Sequence, residues 1–230
     1  MNNHFSHHSS SSNTASSTLS FWQKYQFYFL LVVAVIIRQI PIISLPFNWL
    51  ESYFHEISHG MAALLTGGSI IRIQLFANGA GLCTTQGGIN FLITFFGYAG
   101  ASFWGWGIYR LASAHKRAAQ LFSTAILFLV VSSIIFWARD LLTIIILSSL
   151  ILMFILSLKL RQLHYLQLVM QFIGLSILLN SLFSPFYLID GRHIGDGATL
   201  ATVTFVPEII WVVIWCFIAA IAVYSLAHKK

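Results

Sequence analysis

His55-Glu56-Ile57-Ser58-His59 sets two imidazoles four residues apart, with a carboxylate beside the first. On a helix these histidines lie on one face a turn apart, so both rings can reach a single metal ion while Glu56 stands next to the attacking water. Two ligands and a general base form the donor set of zinc-assisted hydrolysis. Catalytic zinc takes three protein ligands and keeps one position open, so a further donor must come from elsewhere in the chain.

The supply of acids is short. Only Glu51, Glu56, Asp140, Asp190, Asp196 and Glu208 occur, and an acid at bilayer depth is costly unless it is paired or bound to a cation. The segment Asn180-Ser181-Leu182-Phe183-Ser184-Pro185-Phe186-Tyr187-Leu188-Ile189-Asp190-Gly191 is the strongest candidate for the third ligand. Pro185 interrupts an apolar helix, Gly191 permits close approach, and Asp190 offers a hard anionic oxygen. Asp196 is the alternative, although it is also suited to cap a helix starting near Ala198. His193, beside Arg192, reads as interfacial, and Glu208 after Pro207 fits the first turn of the last helix. Glu51, one turn before His55, could accept the outward N–H of that imidazole. Asn180 could hold an internal carbonyl or a substrate backbone.

Composition tells which elements must position these residues. Hydrophobic residues make up 58% of the 230 and charged residues 8%, with a mean hydropathy of +0.83. A soluble domain carries roughly 25% charge, so the chain reads as an integral membrane protein. Apolar runs at about 25–45, 47–66, 89–110, 118–137, 140–158, 165–189 and 207–226 each approach the ~20 residues that cross hydrocarbon as a helix. The expected fold is an all-α polytopic bundle of about six to seven transmembrane helices occupying residues 23–230. Residues 1–22, rich in Ser and carrying His4, His7 and His8, read as a disordered tail.

Pro41 and Pro46 break the first run, which makes Asn48 the expected cap of the motif helix. After that helix the period changes: Ile71, Ile73 and Leu75 alternate with Arg72 and Gln74, and Asn78-Gly79 offers a turn before Leu82, Cys83 and Thr84. This predicts a short β-hairpin, which could pair with an unwound substrate strand. Gly97, Gly100, Gly105 and Gly107, with Ala99, Ala101 and Ser102, form a small-residue stripe suited to close helix packing. The net charge of +6 comes mainly from basic residues between or after apolar runs. That suits anionic headgroups of the lipid bilayer and gives no basic stripe for nucleic acid. Cys83 and Cys216 are too few for a disulfide framework or a cysteine zinc site.

Taken together, the motif helix, the glycine-bounded strand region after it and the later Asn180, Pro185 and Asp190-Gly191 segment resemble the site-2 protease family of membrane-embedded zinc metallopeptidases. Asn48 through Gly60, Thr66-Gly67-Gly68, Gly195-Asp196-Gly197-Ala198, Pro207 and Trp211 look most like its compact bacterial B-like branch. The resemblance implies His55 and His59 as zinc ligands, Glu56 as general base and Asp190 as third ligand, with Asp196 as the alternative. It also implies a membrane-anchored protein as substrate and a multi-pass location in the inner or plasma membrane of a bacterial cell. A competing reading is a membrane scaffold that keeps the fold without cleaving; the intact Glu56 argues against it.

Overall fold

The computed structural model describes residues 11–228 and their side chains from Tyr25 onward. The first ten residues of the expected tail, including His4, His7 and His8, lie outside the described residues. The elements are α1 (Ser11–Arg38), α2 (Pro41–Leu65), β1 (Ser69–Leu75), β2 (Gly81–Gln86), α3 (Asn90–Ala114), α4 (Lys116–Phe136), α5 (Leu141–Leu158), α6 (Leu163–Phe183), a 3-10 turn (Ser184–Leu188), α7 (Asp196–Thr204) and α8 (Glu208–Ala227).

The motif helix begins earlier than expected. Pro41 occupies its first turn, where a missing N–H costs nothing, and the capping position is Ile40, with no side-chain cap. Pro46 is carried inside α2. The carbonyl it leaves unbonded belongs to Ile42, a highly exposed residue near the helix start. Asn48 therefore sits within the helix rather than at its cap, and its side-chain oxygen accepts from Asn180 Nδ2 at 3.0 Å.

By length and composition, α4, α5, α6 with its 3-10 extension (Leu163–Leu188) and α8 can cross a membrane. Tyr25–Arg38 and Pro41–Leu65 pass the same criterion as a pair bent by 108°. Among the described residues this gives four to five candidate spans, where six to seven were expected, in a multi-pass membrane protein. The first two apolar runs are the arms of one broken pair. The third belongs to α3, whose apolar character is diluted by its glycines, serine, tyrosines and tryptophans. Small residues dominate its buried face: Gly97, Ala99, Gly100, Ala101, Ser102 and Gly105.

That stripe lets helices touch backbone to backbone. A Cβ on Gly105 would lie 2.9 Å from the Gly174 carbonyl oxygen, and one on Gly174 would lie 2.7 Å from the Gly105 oxygen, so α3 crosses α6 with no side chain between them. Around this crossing, Leu50, Tyr53, Phe54 and Ile57 of α2 and Met170, Ile173 and Ile177 of α6 form part of the main buried cluster. Within hydrocarbon such contacts are held by close packing rather than by transfer from water.

The hairpin forms as expected, with one irregularity. Its strands pair antiparallel from Ser69↔Gln86 to Leu75↔Gly81, with a bulge between Ile70 and Arg72. The extra residue turns Ile71 outward, so Ile70, Ile73 and Leu75 are the buried positions. Asn78 and Gly79 make the turn, with the Ala80 N–H donating to Asn78 Oδ1 at 3.1 Å and Gly79 at φ 88°. The outer edge of β1 is covered. Ile73 N–H donates to the Trp137 carbonyl at 3.0 Å, and Leu75 N–H donates to Thr143 Oγ1 at 2.9 Å. Because Ile73 bonds away from β2, Cys83 directly opposite must also direct its N–H and carbonyl outward, toward α2 and the motif.

Candidate metal centre

Two helices supply the donors and a third makes room for them. His55 and His59 project from the middle of α2 and Asp196 from the first turn of α7. Their donor atoms converge: His55 Nε2 to His59 Nε2 is 2.9 Å, His55 Nε2 to Asp196 Oδ2 is 3.1 Å, and His59 Nε2 to Asp196 Oδ2 is 3.3 Å. A tetrahedral zinc with bonds of about 2.0–2.1 Å has ligand-to-ligand edges of about 3.3–3.4 Å. The three donors thus form a triangle close to one face of that tetrahedron, and two imidazoles with one carboxylate suit zinc by type. Among the described residues this is the one group of three His, Cys, Asp or Glu side chains gathered closely enough to hold a metal.

The tautomer of His59 is set by its surroundings. Its Nδ1 lies 2.7 Å from the Ile93 carbonyl oxygen, which can only accept, so Nδ1 carries the proton and Nε2 offers its lone pair to the centre. Space for the rings comes from α3. A Cβ on Gly97 would stand 2.5 Å from His59 Nε2 and 2.8 Å from His55 Cε1. Gly100, a turn further on, faces Ser58 just as closely. The stripe predicted to pack helices thus also houses the histidines, a function its spacing does not reveal.

Glu56 is buried in α2 beside the centre, with β2 pressed on it. A Cβ on Gly81 would come within 2.6 Å of both Glu56 Cγ and Oε1, so only glycine fits there. Glu51 is also buried, but its carboxylate accepts from Ser184 Oγ at 3.0 Å rather than from His55. That bond ties α2 to the 3-10 turn ahead of the loop leading to Asp196.

Asp190 does not reach the histidines. Pro185 does end the helix as expected, but the turn after it delivers Asp190 outward, where its carboxylate binds the Arg192 guanidinium and accepts from Arg192 N–H at 2.9 Å. The Arg192 side chain holds that carboxyl below its ordinary value. Gly191 and Gly195, at φ 78° and 102°, then reverse the chain and bring in Asp196 six residues later. Asp196 is accordingly the first residue of α7, with Gly195 at the capping position, and its side chain faces the histidines instead of capping. Burial would raise the Asp196 carboxyl, but once the histidines are protonated the charge of His59 and hydrogen bonds from both imidazoles hold it well below its usual range. His193 is exposed and faces Glu208 Oε2 at 3.4 Å. Glu208 opens α8 as expected, after Pro207.

With this geometry in hand, comparison with known proteins gives one positive finding. A family model described as Peptidase M50B-like matches residues 28–226, which take in α2, the hairpin and α7. No curated protein and no solved structure matches the chain.

Proposed function

Because the chain belongs to the Peptidase M50B-like family, that is, the site-2 protease family, we propose that it is an intramembrane zinc metalloprotease cutting a peptide bond in or near the transmembrane segment of a membrane-anchored protein. The observation that carries the reading is the convergence of His55, His59 and Asp196 beside a buried Glu56. His55 and His59, through Nε2, and Asp196, through a carboxylate oxygen, would hold the zinc, which when bound polarises the scissile carbonyl and acidifies water at the open position.

The remaining work falls to side chains of this protein. Glu56 takes the proton from the attacking water and passes it to the departing amine, a transfer that needs one carboxylate close to both. Its burial between α2 and Gly81 confines the carboxyl. A helical substrate has its carbonyls occupied by its own hydrogen bonds and must unwind before attack. With the outer edge of β1 covered by residues 137 and 138, an extended substrate would add to β2, whose outward groups lie on the side of Glu56. A bacterial inner or plasma membrane is the setting we assign.

Glu56→Gln is the deciding experiment. In purified protein it should keep about one zinc per chain while cleavage of a membrane-anchored substrate falls by roughly 10²–10⁴-fold, the span of general acid-base catalysis. Cleavage at the wild-type rate would refute the assignment.

A further inference from the structure

The two histidines are oriented by different means. His59 donates Nδ1–H to the Ile93 carbonyl. His55 has no such hydrogen bond at Nδ1 among the described residues; its polar contacts are those of Nε2 with His59 and Asp196. A ligating imidazole needs its ring plane fixed, usually by a hydrogen bond at the other nitrogen. For His55 the restraint is an aromatic wall. The Tyr98 ring meets it edge to face, with centroids 4.3 Å apart and planes at 78°.

Behind Tyr98 stands Trp215, with ring centroids 4.8 Å apart. Trp215 is fully buried, and its indole N–H donates to the Phe95 carbonyl at 3.0 Å. Thus a ring on α8 is locked onto α3, presses on a tyrosine of α3, and that tyrosine blocks rotation of a histidine on α2. Tyr98 directly follows Gly97, the residue that makes room for both imidazoles. One glycine provides the space and the next residue closes it on one side.

We propose that Tyr98, backed by Trp215, is a positioning residue that holds the His55 imidazole in its metal-binding orientation through ring contact, in place of the hydrogen bond that orients His59. The inference rests on the metal-binding reading of the site. It assigns the role to the ring and none to the phenol oxygen.

The test compares wild type, Tyr98→Leu, Tyr98→Phe and Trp215→Phe in detergent. Zinc affinity is measured by competition with a chelating dye, and the visible absorption of the cobalt(II)-loaded proteins reports ligand arrangement. Tyr109→Leu, on the same helix and packed against Phe27 instead, controls for loss of any buried tyrosine. Tyr98→Leu should weaken zinc binding by about ten- to a hundredfold, the usual range when an orienting partner is removed, and shift the cobalt bands. Tyr98→Phe and Tyr109→Leu should stay within about threefold of wild type on the same scale.

A folded Tyr98→Leu protein with wild-type affinity and bands overturns the proposal. So does Tyr98→Phe falling as far as Tyr98→Leu, which would move the role to the hydroxyl. Should Tyr98→Leu not fold, Trp215→Phe decides: it keeps a ring but frees it from Phe95, and unshifted cobalt bands there overturn the proposal. Wild-type protein that takes up no metal overturns the metalloprotease reading and this inference with it, a result distinguishable because it precedes any comparison of variants.

Discussion

Gly97→Ala adds one methyl group and should remove most of the metal affinity. The new carbon would stand 2.5 Å from His59 Nε2, whereas ordinary van der Waals contact begins at 3.4 Å. The ring must therefore retreat by about 0.9 Å, against a tolerance of roughly 0.2 Å in metal–ligand distance. His59 cannot make that retreat and keep its Nδ1–H on the Ile93 carbonyl, 2.7 Å away. A structural zinc site with four ligands binds with about 10–16 kcal/mol, or roughly 2.5–4 kcal/mol per ligand, so losing one histidine should weaken binding by on the order of 10²–10³-fold. The helix itself gives no reason to fail, since alanine is favoured over glycine in a helix interior by roughly 0.5–1 kcal/mol. Gly107→Ala on the same helix, where an added Cβ meets nothing within 4 Å, is the matched control. Zinc affinity of both variants by dye competition is the assay. Wild-type affinity in Gly97→Ala would show that the histidines do not bind metal in the arrangement described.

Three further outcomes follow from the same geometry. Asp196→Asn should lose zinc by at least about tenfold while Asp190→Asn retains it, because Asp190 is paired with Arg192 away from the histidines; elemental analysis reversing that order would reinstate Asp190 as ligand. In mildly acidic solution protons compete with zinc for both imidazoles, so apparent affinity should fall by up to about a hundredfold per pH unit. Asp196, held below the usual carboxylate range by the histidines despite its burial, stays ionised there; a thousandfold slope, implying a third proton, would contradict this. Thr85→Pro removes an outward N–H from β2 without touching a bond to β1. It should lower cleavage and spare zinc content, and unchanged cleavage would exclude strand addition at that edge.

The parts of the site legible in the sequence are those encoded by short spacing. The i, i+4 histidines, the adjacent glutamate and the Asn78-Gly79 turn each depend on local geometry that three to five residues fix. The third donor of the cluster depends instead on where the chain travels after a helix ends. Pro185 announces the end of α6, yet whether the next acid turns in or out is set by an arginine two residues beyond it and by two glycines at positive φ. Asp190 and Asp196 are both followed by glycine, so the immediate context does not separate them. The same limit applies at the other end of the motif helix. Proline is a break signal in general, but Pro41 falls in a first turn and Pro46 is accommodated inside α2, which displaces the expected cap and joins two apparent spans through a 108° bend.

A second reason is that much of this site is built by side chains that are missing. Gly81 leaves room for Glu56, Gly97 for His55 and His59, and Gly100 for Ser58; in each case a Cβ would collide with the motif helix. In a sequence, such glycines look the same as Gly105, which serves only the crossing of α3 with α6. Their roles separate once the partner on the facing element is known. The motif helix can therefore approach both β2 and α3 more closely than side chains would allow, keeping its polar groups on protein instead of lipid. The same closeness makes the centre intolerant of added volume. Substitution of a glycine that touches no substrate should damage chemistry as severely as loss of a ligand, while an equally small change at Gly107 should pass unnoticed.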